Sequence, residues 1–203
     1  MVILSLSHQN CPFKILVISS GDDNFSNLSC SVCGSGFAEA EWSEIALPEP
    51  LINLQEAGPS VILTPTNGDF ENYKIGQDLH VGICVQPDRT YSFWDKGIEI
   101  GQWNKKVVEL FKLNTVYNHG NLQQTMDTFI KFNGGRFKKQ DYKSDTWNCF
   151  DFIIEFLDFI GQKLSKEEFI EKFVEAKLKT VSRYNALTMR IRENGSLTIK
   201  AQD

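Results

Sequence analysis

The chain has 203 residues, 41% of them hydrophobic and 23% charged, so it can bury a core and is not compositionally disordered. That length suits one domain, or one domain carrying a small module. A net charge of −5 argues against the basic face that duplex nucleic acid requires, and no run approaches the ~20 apolar residues of a membrane span.

The opening "MVILSLSHQNC" is apolar but short and has no basic n-region, so it is not read as a signal peptide. Cysteines stand at 11, 30, 33, 84 and 149. An odd number without a secretory signal predicts reduced thiols serving metal binding or catalysis, in an intracellular protein of the cytoplasm or nucleus.

Residues 1–45 carry four soft ligands in two pairs, His8 and Cys11 in "HQNC" and Cys30 and Cys33 in "CSVCG". Each pair has the spacing that lets two ligands grip one tetrahedral ion, and Gly34 suits a tight knuckle turn. The strand-like "FKILVIS" and the polar turn "SGDDNFSN" lie between them. A piece this small can hardly build its own core, so a structural zinc on His8, Cys11, Cys30 and Cys33 is expected, forming a zinc-ribbon-like module. The plain alternative is a small strand pair with three buried thiols. With four protein ligands such a site is closed and leaves no position for catalysis.

Residues 46–60, with Pro48, Pro50, Gly58 and Pro59, read as a linker, and a second domain is expected over 61–203. It opens on the strand "VILTP". In "DLHVGICV", Leu79, Val81, Ile83 and Val85 alternate with His80, Gly82 and Cys84, which is strand period. The turn "QPDR" joins that strand to "TYSFW" as a hairpin. "NKKVVELFKL" is ambiguous. "NLQQTMDTFIKFNGG" reads as a helix stopped at Gly134, and a second helix runs from about Asn148 to Ile160. A third starts at the capping box of Ser165 and Glu168. A fourth, "RYNALTMRIREN", ends at Gly195 before a short strand "SLTIK". Strands followed by helices predict an α+β fold.

On a helical wheel Asp151, Glu155 and Asp158 form the wet stripe of the second helix, and Cys149, Ile153, Phe156 and Ile160 the buried one. Cys149 therefore begins the helix on its sheet-facing side. There the unpaired N–H groups and the macrodipole favour a thiolate, with Asn148 as N-cap. A nucleophilic cysteine needs a base. Among three histidines, His8 sits with the metal-type ligands and His119 in the loop-like "YNHGN", which leaves His80, flanked on its face by the small Gly82 and Cys84. Asp78 and Asp95 are the candidates to orient its ring. The plain alternative is a buried core thiol and a packed strand histidine.

"DLHVGICVQPDRTYSFWDKGIEIG" followed by "NCFDFIIEFLDFIGQKL" resembles the permuted papain-like proteins, in which the histidine strand precedes the cysteine helix. It looks most like the PPPDE, or DeSI-type, desumoylating isopeptidases, and shares its layout with lecithin retinol acyltransferase and NlpC/P60-like proteins. From the N-terminal "C-x-x-C" through "LTPTNGDF" and "DLHVGI" to "SRYNALTMRIRENG", the chain resembles the makorin-2 opposite-strand family nearly end to end. The Gly-rich patch after the aromatic hairpin is reduced here to "DKGIEIG".

The resemblance implies a permuted papain-like domain with Cys149 at the nucleophile position and His80 at the base. The expected activity is that of a thiol hydrolase, an isopeptidase or thioesterase acting on ubiquitin-like conjugates, with no catalytic cofactor. The alternatives are a non-catalytic adaptor that keeps the fold and binds a protein partner, and an acyltransferase. An enzyme requires a thiolate at Cys149. An adaptor predicts a sealed, inert Cys149 and an exposed apolar patch elsewhere.

Overall fold

The computed structural model describes residues 2–9, 11–21, 25–30, 32–37, 41–103, 105–115 and 121–200. In chain order the strands are β1 (Val2–His8), β2 (Phe13–Ser19), β3 (Trp42–Ala46), β4 (Ile52–Asn53), β5 (Ser60–Pro65), β6 (Leu79–Gln86), β7 (Arg89–Trp94), β8 (Gly97–Gly101) and β9 (Lys106–Lys112). Helices α1 (Leu122–Asn133), α2 (Cys149–Phe159), α3 (Lys166–Phe169) and α4 (Ala176–Asn194) follow, then strand β10 (Leu197–Lys200). A π-helical stretch, Ile170–Glu175, joins α3 to α4. The fold is thus α+β with two antiparallel sheets.

The chain divides into two compact units, residues 1–49 with 183–203 and residues 50–182. In the first, the strand order is β10-β2-β1-β3. Both faces of the β1–β2 ladder are covered. Leu4, Leu6, Ile15 and Val17 pack with Phe37 and Trp42, while Ile3 and Leu16 pack with Ile191, Leu187 and Leu197. That double burial is why "VILSL" reads as a continuous apolar run. Residues 183–203, placed by the sequence reading with the second domain, join the first unit because β10 adds to the edge of β2.

The second unit is a six-stranded sheet in the order β4-β9-β5-β6-β7-β8. Successive side chains of a strand point to opposite faces. Leu63, Val81, Ile83, Val85, Tyr91 and Phe93 meet the helices on one face, where Phe129, Phe152, Phe156 and Phe169 complete the main core. Ile62, Cys84 and Val107 face the other way, against Leu54, Ala57 and Trp103. Helix α2 buries Cys149, Phe152, Ile153, Phe156 and Leu157, and each large apolar side chain there contributes about 1.5–3 kcal/mol. Its start is fixed by a capping box. Asn148 Oδ1 accepts from the Phe150 N–H at 3.0 Å, and Asp151 Oδ2 accepts from the Asn148 N–H at 2.8 Å.

Candidate functional site

The first unit brings its four soft ligands together. His8 Nδ1 and the sulfurs of Cys11, Cys30 and Cys33 all lie within 4.8 Å of one another. His8 Nδ1 is 3.3 Å from Cys11 Sγ and 3.5 Å from Cys33 Sγ, and Cys11 Sγ is 3.8 Å from Cys33 and 3.5 Å from Cys30. A tetrahedron built on metal–sulfur bonds of about 2.3 Å and a metal–nitrogen bond of about 2.0 Å has edges near 3.5–3.8 Å. The donor set fits a closed four-coordinate ion.

Local structure explains the convergence. His8 ends β1 and Cys11 lies in the turn before β2, its N–H donating to the His8 carbonyl at 3.2 Å. Cys30 and Cys33 occupy the tip of a second hairpin, closed by the bridge of Ser29 with Gly36 and by the bond from Gly34 N–H to Cys30 O. Gly34 adopts φ +75°, the left-handed conformation that glycine enters without strain. Each tip offers one pair of ligands.

Spacing alone does not reveal the outer shell. His8 Nε2 lies 3.4 Å from Glu41 Oε2, and the Trp42 ring packs 5.0 Å from the imidazole. A carboxylate on the far ring nitrogen fixes which nitrogen faces the thiols. The register of β1 with β3, which pairs His8 with Trp42, delivers both residues. Burial opposes the charged form of His8, but the Glu41 bond together with the Cys30 and Cys33 thiols outweighs it and holds the pKa above its ordinary value. Backbone N–H groups of Cys33 and Val32 draw the Cys30 thiol down to about 6, and the hydrogen bond to Cys30 pushes Cys11 up to about 12.

In the second unit, Cys149 opens α2 as the wheel requires and is 3% exposed. Burial pushes its thiol up to about 11, against backbone N–H donors from Val81, Phe150 and Cys149 itself. The helix N-terminus does act on the sulfur, but desolvation is the larger effect. Burial raises the pKa of the Tyr142 hydroxyl, and Cys149, Asp95 and Asp78 stand close enough to raise it further. Trp147, beside the cysteine, stacks on Phe137 at 5.2 Å and donates to the Arg136 carbonyl.

His80 points the other way. It pairs with Thr64 across β5–β6 and shares its face with Gly82 and Cys84, while Cys149 packs on the face of Leu79, Val81 and Ile83. Its ring lies 4.2 Å from Trp94 and 5.5 Å from Trp103. Burial, reinforced by the nearby Lys105 ammonium, lowers its pKa to about 4. Nδ1 is buried without a hydrogen-bond partner, so neither Asp78 nor Asp95 orients the ring. Both carboxylates are on exposed residues at strand ends.

The two residues expected to form a dyad therefore sit on the same strand–helix contact with their functional atoms on opposite faces of β6. The room beside His80 created by Gly82 is filled by Trp103. A Cβ at Gly82 would lie 2.9 Å from the Trp103 ring. Cys84 is buried in the small second core, its thiol donating to the Gln86 carbonyl at 3.3 Å and pushed by burial up to about 11. His119 lies outside the described residues.

The alternation in "LHVGICV" held the signal for this arrangement. An apolar helix face buries itself on the Leu-Val-Ile-Val side of such a strand, not on the His-Gly-Cys side.

On the side of β6 that carries His80 there is a cavity of about 250 Å³, lined by Thr64, His80, Ser92, Trp94, Trp103 and Lys105 among others. Among the described residues no helix is long and apolar enough to cross a membrane.

Comparison with known proteins places the chain in a family. It is 26% identical over 178 residues to the human MKRN2 opposite strand protein, covering 82% of this chain and 78% of that protein. No solved structure matches it. Residues 44–191, most of the chain, match the family described as DUF4796 C-terminal, and the chain belongs to that family.

Proposed function

We propose that this protein is a non-catalytic adaptor: a permuted papain-like domain that no longer performs thiol chemistry, joined to a zinc-ribbon-like module that binds structural zinc. The observation that carries the reading is the separation of Cys149 and His80 onto opposite faces of β6. A hydrolase or an acyltransferase needs the imidazole within hydrogen-bond reach of the sulfur, as base and then as acid. Here the thiol is sealed and neutral and the imidazole is neutral and unoriented. The papain-like assignment is supported by the order of elements, a histidine strand before a cysteine helix, and by the packing of α2 on β6 and β7.

The zinc assignment is supported by the tetrahedral edges of the His8, Cys11, Cys30 and Cys33 cluster and by the Glu41 carboxylate behind His8. Zinc would supply the cross-link between two hairpin tips and no reactive position, since all four ligands are protein groups. The partner class expected of an adaptor is protein. Phe132 on α1, 73% exposed, and Phe159 at the end of α2 are apolar groups available for contact.

The test is a ubiquitin-like protein carrying a C-terminal electrophile, incubated with the folded protein and analysed by peptide mass spectrometry. No adduct at Cys149 is expected. An adduct at Cys149 that forms in the wild type and is lost in His80→Ala would replace the adaptor reading with the hydrolase one. For the module, cobalt substitution is expected to give the intense visible absorption of a tetrahedral thiolate site, lost in Cys33→Ser.

A further inference from the structure

The face of β6 that turns away from Cys149 carries buried polar atoms with no assigned work. Thr64 and His80 are a cross-strand pair, 2% and 7% exposed, and both Thr64 Oγ1 and His80 Nδ1 lack a hydrogen-bond partner. Buried polar groups are nearly always paired, and two orphans side by side in one cavity wall point to something that occupies the cavity. The cavity, about 250 Å³, lies wholly within the second unit. Its size, below the usual 300–1,000 Å³ range of ligand pockets, suits a small metabolite rather than a peptide.

The chemistry of the lining selects the ligand. Lys105 Nζ donates to the carbonyls of Pro65 at 3.1 Å and Gly68 at 3.4 Å, which leaves one of its three N–H donors unused. It forms no ion pair with a carboxylate among the described residues; burial lowers its pKa and outweighs the opposing charge of Asp69, whose carboxylate accepts from the Asn72 N–H groups at 3.1 Å. Ser92 adds a hydroxyl, and Trp94 and Trp103 supply flat apolar walls. The one lining carboxylate, Glu99, is half exposed and lies 4.0 Å from Lys96. The interior thus sets buried polar groups around an ammonium with no direct ion-pair partner, between two indoles.

We infer that this cavity binds a small organic carboxylate, its anionic end held by Lys105, Thr64 and His80 and its apolar body by Trp94 and Trp103. The inference rests on the proposed reading in which His80 does not serve Cys149. An anion at Lys105 accepts its third N–H, and its oxygens give the orphaned atoms partners. Glu99 at the rim disfavours multiply charged anions.

The experiment is an NMR titration of the full chain. The indole N–H signals of Trp94 and Trp103, assigned with W94F and W103F, are followed during addition of acetate, hexanoate and benzoate, then of neutral benzamide and the cation benzyltrimethylammonium. At least one carboxylate is expected to move both signals saturably, benzamide more weakly. Lys105→Met is expected to weaken that carboxylate about tenfold or more, in line with a lost charge-assisted bond, and Lys105→Arg to keep it. Thr64→Val serves where Lys105→Met fails to fold. It is expected to leave the free protein as stable as before, or more so, and to weaken the carboxylate. The proposal is overturned if no carboxylate moves either indole, if benzamide binds as well, or if the quaternary ammonium binds best. The reactivity of Cys149 is read separately, so neither failure is mistaken for the other.

Discussion

A neutral imidazole buried beside an ammonium group is a liability in acid. The pKa of His80 lies at about 4, because burial and then Lys105 disfavour its charged form. In the unfolded chain it returns to about 6.5. The unfolded state then binds the extra proton between those values, so this group's contribution is complete above pH ~6.5 and is lost as pH falls through the folded value. The predicted loss is on the order of 3 kcal/mol, read as the steepening of unfolding free energy against pH in the wild type relative to His80→Gln. Its neighbour Gly82 sets the second residue-scale prediction. With a rigid indole 2.9 Å from the added methyl, Gly82→Ala is expected to cost about 1–3 kcal/mol and to shift the Trp103 fluorescence. Denaturant titration measures the first effect and emission spectra the second. That Gly82 makes room was legible from its size; that Trp103 takes the room was not, because nothing local to either residue relates them.

Among the elements, those governed by local rules were legible and those governed by partners were not. Asn148 caps α2, and Ser165 with Glu168 caps α3, through bonds spanning three residues or fewer. Asn148→Ala is accordingly predicted to destabilise the fold by about 0.5–2 kcal/mol, visible as a lower thermal midpoint with the fold otherwise kept. The Asp151 carboxylate, which receives the Asn148 N–H and the Lys166 ammonium at 2.7 Å, anchors the same corner. By contrast, "NKKVVELFKL" forms β9. Val107 is buried on one face and Val108 on the other, and the pairing with β5 slips at Val61 and Ile62. Burial on both faces and a bulge erase the alternation that marks a strand. The two faces of β6 were separable from sequence, and α2 covers the apolar one.

At the scale of the whole molecule, two assignments concern residues far apart in sequence. The His8, Cys11, Cys30 and Cys33 set was legible because two short motifs have the spacing of ligand pairs, and the structure draws their donor atoms to within 4.8 Å of one another. Glu41 was not, since only the β1–β3 register brings it to His8. If the ion supplies folding energy to the first unit, a strong chelator is predicted to raise amide exchange in residues 1–49 well above that of the holo protein. Cys30→Ser is predicted to reproduce this without chelator. The Cys149–His80 pair fails differently: both residues occupy the strand and helix expected of them, and the sheet comes between their functional groups.

That separation is tested most directly by the pH dependence of Cys149 alkylation in the folded protein, followed by peptide mass spectrometry in the wild type and in His80→Ala. The prediction is slow modification that rises only toward the thiol value of about 11, with superimposable profiles in the two proteins. A wild-type rate that titrates well below the free-thiol value of ~8.5, and loses that shift without His80, would contradict it.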